Sequence, residues 1–195
     1  SLIIALTAFL LIGWFLWLHY NVIGNVYVSF EKPVIAPDDM DPAKALGVRI
    51  LLNMDIGNNG GLDMDILDGT YTISVNVVTS EGISDSRGIV KAYSADLEPI
   101  HLSTGSLVPI SRNLFLTWDS LMDANATGVI QDYFWQRREP YDRLSLIIEG
   151  SMTVQASFYR TTYPFHVRFE YEPVQYSYPK LEQLKIRSSY VLRNG

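Results

Sequence analysis

The chain contains no cysteine and only three histidines among its 195 residues. The absence of cysteine excludes disulfide bonds, thiolate nucleophiles and cysteine-ligated metal sites. The histidines (His19, His101 and His166) are far apart in the sequence, and no nucleophile-elbow, P-loop or GxGxxG pattern is present. We therefore expect no catalytic residues, no cofactor and no enzymatic activity.

Positive charge is also scarce. Lys and Arg together number 15 against 21 Asp and Glu, and no run of basic residues occurs. Proteins that bind nucleic acid, or that dock electrostatically on anionic lipid, carry a concentrated basic surface. Nucleic acid is therefore not an expected partner. The first charged residue of the chain is Glu31.

An unbroken apolar run, LIIALTAFLLIGWFLWL, occupies residues 2–18. As an α-helix this run would be about 25 Å long, close to the ~30 Å thickness of a hydrocarbon core. We predict a single transmembrane helix over residues 1–20, with tryptophans suited to the membrane interface. A secretory signal peptide is the alternative interpretation. The side chains expected to mark the anchor are Leu2, Leu11, Trp14 and Trp17.

Beyond residue 46, apolar and polar residues mostly alternate, which is the pattern of half-buried strands. The clearest segments are 48–56, 71–77, 152–158 and 165–171. Several short strands separated by turn residues predict a mainly β fold, an antiparallel, immunoglobulin-like β-sandwich of about seven strands. The expected organisation is a transmembrane helix at 1–20, a stalk segment at 21–46, the sandwich at 47–174 and a C-terminal strand or tail at 175–195. Within the stalk, 21–30 is also compatible with a first strand.

One interval departs from this alternation. Between Trp118 and Trp135 the apolar residues recur at spacings of three to five, which predicts one helix. Thr117 and Asp119 are the candidate caps at its start, and Gly128 is a candidate interruption.

The order of these segments resembles the LEA14-like domain (LEA2, or water stress and hypersensitive response domain). The best-matched pieces are LLNMDIGNNGGLDMDILDGTYTISVN at 51–76 and GSMTVQASFYRTTYPFHVRFE at 150–170. The family usually has Asn-Pro where this chain has Asn58-Asn59. The resemblance implies a seven-stranded β-sandwich with one helix, often held at a membrane by one N-terminal span, with a binding or protective role and no catalytic residues.

Two acidic clusters are the candidates for a metal site: Asp63, Asp65 and Asp68, and Asp38, Asp39 and Asp41. The first cluster does not follow the EF-hand spacing, because its third carboxylate falls at position 6 of the loop and apolar residues intervene. We interpret it as the polar face of a strand followed by a turn at Asp68-Gly69, and the second as a solvated loop. No metal is expected.

Aromatic residues and arginine concentrate in FWQRREPYDR at 134–143, a composition typical of interface anchors. The alternative is a helix end that packs on the sheet, followed by a charged loop. The candidate partner surface consists of Trp135, Arg137, Arg138 and Tyr141. A single N-x-S/T sequon makes Asn125 a candidate glycosylation site.

The expected function is that of a non-enzymatic accessory or structural subunit of a membrane or cell-envelope assembly. Its partners would be lipid, through the N-terminal helix, and other membrane or envelope proteins. Because small anchored domains with few basic residues usually cross the membrane, we expect the β domain on the extracytoplasmic side. The alternatives are a pilin-like or archaellum-like filament subunit and, in a third class, a hydrolase or metal-dependent binding domain.

Overall fold

The strands form two antiparallel sheets in the computed structural model, which describes residues 2–78, 87–135 and 143–172. Within these ranges the chain has nine strands, two α-helices and a short 3-10 turn at Trp118–Ser120. The strands are β1 (Val26–Phe30), β2 (Val34–Pro37), β3 (Gly47–Asn58), β4 (Met64–Val78), β5 (Val90–Leu97), β6 (Ile100–Leu102), β7 (Leu107–Thr117), β8 (Arg143–Ala156) and β9 (Tyr159–Tyr171), and the helices are α1 (Leu2–Ile23) and α2 (Ala124–Phe134).

The first sheet is built around β3. Strands β1 and β2 pair with successive parts of one edge of β3, and β7 pairs with its other edge along the full length. The second sheet has the order β5-β4-β8-β9, with β6 pairing to β4. The prediction of a mainly β, antiparallel sandwich preceded by an apolar helix is therefore confirmed. The described residues hold nine strands rather than about seven.

The core lies between the sheets, where the alternation of the sequence places it. Along β3 the inward side chains are at most 3% exposed, whereas Leu51, which breaks the alternation, points outward and is 38% exposed. The inward residues of β3 are Val48, Ile50, Leu52, Met54 and Ile56. They share the core with a matching apolar row on β8, namely Leu144, Leu146, Ile148, Met152 and Val154.

Strand β4 differs from the sequence-based expectation. The predicted turn at Asp68-Gly69 is wrong, because both residues lie inside a continuous strand of 15 residues. The pairing of β4 with β8 skips one residue between Ile66 and Asp68, which leaves Leu67 in a β-bulge. A bulge adds one residue without ending the strand, so the alternation shifts phase where local pattern suggests a break.

The segment 21–46 is part of the fold rather than a spacer. Helix α1 continues to Ile23, and β1 begins three residues later in register with β3, with Val26 opposite Asn58. The loop before β3 is organised by Asp38, whose Oδ1 accepts hydrogen bonds from the backbone N–H groups of Leu46 and Gly47 at 2.9 and 3.0 Å. The first sheet therefore starts well before residue 47.

Helix α2 begins later than its candidate caps predict. The side chain of Asp123 caps it by accepting a hydrogen bond from the backbone N–H of Asn125 at 2.8 Å. Thr117 instead precedes the 3-10 turn and makes no side-chain cap hydrogen bond. The helix runs through Gly128 without interruption, and its buried residues join the core. These buried residues are Ala126, Val129, Ile130, Tyr133 and Phe134.

The sandwich has two ends along the strand direction, which we call the anchor end and the far end. The anchor end comprises the last turn of α1, the loops at 59–63 and 103–106, and the β8–β9 turn at 157–158. The two loops meet at Asn58, which pairs with Val26 and whose carbonyl accepts from the N–H of Gly105, whereas Tyr159 beside the β8–β9 turn contacts α1. The far end comprises α2 and the loop at 38–46. Strand β3 has 12 residues, so the two ends are roughly 36 Å apart.

Candidate functional site

Helix α1 projects from the sandwich with its apolar surface uncovered. Every residue from 3 to 17 is exposed, including Leu11, Trp14 and Trp17 at 63%, 50% and 45%. The side chain of Leu2 lies outside the described residues. In the described part of the chain, one helix is long and apolar enough to cross a membrane, and 6% of it is buried. Signal sequences share that length and composition.

The last turns of α1 are fixed to the sandwich. Leu18 and Val22 are 1% exposed and belong to the hydrophobic core. Phe15 meets the ring of Tyr159 edge-on with centroids 5.3 Å apart, and His19 Nδ1 is hydrogen-bonded to the Tyr159 hydroxyl. The last turns of α1 are therefore packed into the domain, and β1 begins three residues after the helix ends.

Polar side chains complete the exit from α1. The Asn21 side chain donates to the Trp17 carbonyl at 2.9 Å, and the Asn25 side chain donates to the Asn21 carbonyl at 2.8 Å. The last four carbonyl groups of a helix lack intrahelical partners, so the Asn25 side chain satisfies an acceptor on Asn21 that would otherwise need water. The exit is well defined before β1 begins.

Asn58 ties the loops of the anchor end together, a role that sequence reasoning did not assign to it. Its side chain is fully buried, and Nδ2 donates to the carbonyls of Leu62, Leu102 and Ser103 at 2.8, 3.2 and 3.4 Å. Its Oδ1 accepts from the N–H of Gly60 at 2.8 Å. The asparagine at the end of the strand could be read from the sequence, but its partners on the 102–103 segment could not.

The acidic residues of the first candidate metal cluster are engaged separately. Asp63 Oδ1 accepts from the backbone N–H and the hydroxyl of Thr104 at 2.8 and 3.1 Å, and Asp65 is 2.7 Å from Nδ1 of His101. Asp68 is exposed on β4, beyond the bulge. Among residues 2–78, 87–135 and 143–172, no group of three or more His, Asp or Glu side chains is placed to hold a metal ion.

The contacts of Asp65 and Asp63 have electrostatic consequences. The hydrogen bond with Asp65 raises the pKa of His101 above its ordinary value, and the charges of Asp65 and Asp63 act in the same direction. The hydrogen bonds from Thr104 lower the pKa of Asp63. A raised histidine pKa favours the folded state below the unfolded pKa of about 6.5, and this stabilisation is lost as pH rises through the folded pKa.

We expect Asp65→Asn to lower the pKa of His101, because the substitution removes its hydrogen-bonded carboxylate. The measurement is an NMR titration of the His101 imidazole in the full chain in detergent micelles. Asp68→Asn is the matched control, since it removes an exposed carboxylate from the same strand without touching His101. An unchanged His101 titration in Asp65→Asn would contradict the assignment.

At the far end, Trp135 serves the fold. Its indole N–H donates to the Met40 carbonyl at 3.1 Å, and its ring meets the Trp118 ring edge-on with centroids 6.2 Å apart. The Trp118 indole N–H donates to the Ala45 carbonyl at 2.8 Å. The two tryptophans therefore join α2 to the loop at 38–46. The other candidate partner residues, Arg137, Arg138 and Tyr141, lie outside the described residues, so the partner surface stays a prediction.

Asn125 is exposed at the second position of α2. The hydroxyl of Thr127, which completes the sequon, donates to the Trp118 carbonyl at 3.3 Å. Glycosylation at Asn125 stays a prediction.

The amino-acid sequence matches no family model and no curated protein. Among solved structures, a protein from Archaeoglobus fulgidus is similar at 12% identity, with a TM-score of 0.41, over 74% of this chain and 97% of that one. A protein described as a candidate late embryogenesis abundant (LEA) protein is similar at 11% identity, TM-score 0.42, over 77% of this chain and 72% of that one. A protein from Arabidopsis thaliana is similar at 9% identity, TM-score 0.41, over 75% and 83%. At these TM-scores and identities, no family membership and no function follows from the similarity.

Proposed function

We propose that this protein is a single-span membrane protein that carries an LEA14-like β-sandwich on the extracytoplasmic side. In this proposal it acts as a non-enzymatic accessory or structural subunit of a membrane or cell-envelope assembly. The observation that supports an anchor is the exposure of α1. Residues 3–17 lie outside the fold, whereas the core helix of a soluble protein would be mostly buried.

The packing of the last turns of α1 into the sandwich supports a structural role. Because Leu18 and Val22 are part of the core, the orientation of the domain is coupled to that of the helix. Trp135, the described member of the candidate partner surface, belongs to the far end, roughly 36 Å from the anchor end along a strand. A subunit built in this way would hold a binding surface at a fixed height above the membrane.

The extracytoplasmic location is proposed from charge. No Lys or Arg precedes Lys32, and Lys44 is the next basic residue after it. Cytoplasmic segments close to a span usually carry an excess of Lys and Arg. The segment that follows α1 lacks that excess, which favours the outer side for the domain.

Mild solubilisation of native membranes, followed by identification of the proteins that co-purify, tests the subunit role. We expect specific partners with the unaltered chain, and their loss when Arg137 and Arg138 are both changed to Glu. Arg112→Glu is the control, because it reverses one exposed charge on the side of the sandwich. The proteins that co-purify with the unaltered chain should also co-purify with this variant.

The state of the solubilised material separates the alternatives. A discrete particle that contains other proteins supports the proposal. Filaments seen by electron microscopy would favour the pilin-like or archaellum-like alternative. A chain that is recovered alone and monomeric would overturn the subunit role.

A further inference from the structure

We propose that the β8–β9 turn at 157–158 enters the membrane interface beside α1, with Phe158 in contact with lipid. This inference rests on the proposed anchoring of α1 in a bilayer. It adds a second contact with the membrane, made by a turn between two strands in addition to helix α1.

The β8–β9 turn lies beside the end of the apolar run in α1. The apolar run ends at Leu18, and its aromatic residues Trp14 and Trp17 suit the interface. Tyr159, the first residue of β9, packs on Phe15, which lies one helical turn inside the end of that run. The Tyr159 ring also meets the His19 ring, with centroids 5.8 Å apart, so the start of β9 lies beside the helix turn that contains Trp17.

The composition of the tip is unusual for a solvent-exposed turn. Ala156 pairs with Tyr159, so Ser157 and Phe158 form a two-residue hairpin turn. Turns of this kind favour Gly, Asn and Asp. Here Ser157 takes the left-handed conformation, with φ of 54°, and Phe158 is 65% exposed at the tip. A phenylalanine at the tip of a turn beside an exposed apolar helix is suited to a membrane interface.

The surroundings of the tip favour lipid over a protein partner. Of the helix residues that contact Tyr159, Phe15 is apolar and exposed and His19 is hydrogen-bonded to the Tyr159 hydroxyl, so the tip lies at the border of the apolar surface of α1. The exposed Arg160 follows directly, held by hydrogen bonds from its guanidinium to Gln155 Oε1 at 3.4 and 3.1 Å. An arginine one residue beyond a buried aromatic is suited to lipid phosphate at the interface.

The absence of native cysteine permits a direct test with single cysteine variants. The full chain carrying Phe158→Cys is labelled with an environment-sensitive fluorophore and reconstituted in phosphatidylcholine vesicles whose lipids carry a quencher. Two controls are labelled in parallel. Leu10→Cys reports on α1 itself, and Leu46→Cys reports on an exposed residue of the far end, 67% exposed against 65% for Phe158.

We expect the label at 158 to shift to shorter wavelength and to be quenched, more by quenchers near the head group than by quenchers near the chain ends. The label at 10 should be quenched by the deeper groups, and the label at 46 should not respond. A label at 158 that behaves like the label at 46, while position 10 is quenched, would overturn the inference and leave the anchor intact. If position 10 is not quenched either, the anchor fails and this inference fails with it.

Discussion

Replacing Leu11 by arginine is expected to shift the protein from membranes to the aqueous fraction. Leu11 is near the middle of the apolar helix and 63% exposed. At the centre of a span, leucine favours insertion by a few tenths of a kcal/mol, whereas arginine opposes it by about 2.5–3.5 kcal/mol. The difference of about 3–4 kcal/mol corresponds to a decrease of roughly a hundredfold or more in the ratio of inserted to free protein. Flotation of the chain with lipid vesicles measures this ratio.

Leu46→Arg is the control for this experiment. Leu46 is a leucine of similar exposure, 67%, at the far end of the sandwich. The same substitution there should leave flotation unchanged, which separates the effect of position from that of charge. If Leu11→Arg floats as well as the unaltered chain, α1 does not hold the protein in the membrane by its apolar surface.

Replacing Asn58 by alanine is expected to lower the free energy of unfolding by about 3 kcal/mol. The substitution removes the donor to the Leu62 and Leu102 carbonyls and the acceptor for the Gly60 N–H, in a position that is fully buried. Each buried polar group left without a partner costs about 1–3 kcal/mol. Urea unfolding of the full chain in detergent, followed by tryptophan fluorescence, measures the loss.

Two further variants show whether the hydrogen bonds are the cause. Asn59→Ala removes the exposed neighbouring asparagine and should change stability by no more than about 0.5 kcal/mol. Asn58→Asp keeps the side-chain shape but places a carboxylate against three carbonyl oxygens, so at neutral pH it should destabilise at least as much as alanine. Equal stability of Asn58→Asp and the unaltered chain would show that the side-chain donor is not needed.

Both predictions concern the anchor end, one through helix α1 and the other through the end of β3. Asn58 is the last residue of β3 and pairs with Val26 of β1, and β1 follows closely on α1. Loss of Asn58 is therefore expected to weaken the packing of the last turns of α1 on the sandwich as well as the loops. Leu11 does not take part in that packing, so its substitution should affect membrane binding without affecting unfolding of the sandwich.

Local patterns predicted the elements whose cause is local. The apolar helix followed from an uninterrupted run, and the inward faces of β3, β9 and the second half of β8 followed from alternation of period two. The alternation at 152–158 extended one position too far, because Phe158 lies in the β8–β9 turn and is exposed. Helix α2 followed from apolar spacing between Trp118 and Trp135. Its cap at Asp123 was missed, because the extended residue Leu121 and the 3-10 turn before it leave no signature in the spacing.

What the sequence determined by itself is the presence of an exposed apolar helix joined to a β-sandwich, since hydrophobic periodicity and length act within each segment. What only the tertiary structure decided is which segments meet. The pairing register brings β1 and β2 into the first sheet, places Leu67 in a bulge, and carries Tyr159 to His19, 140 residues away. Such contacts depend on the stacking of two sheets and on hydrogen bonds between distant strands, and no local spacing of residues encodes them.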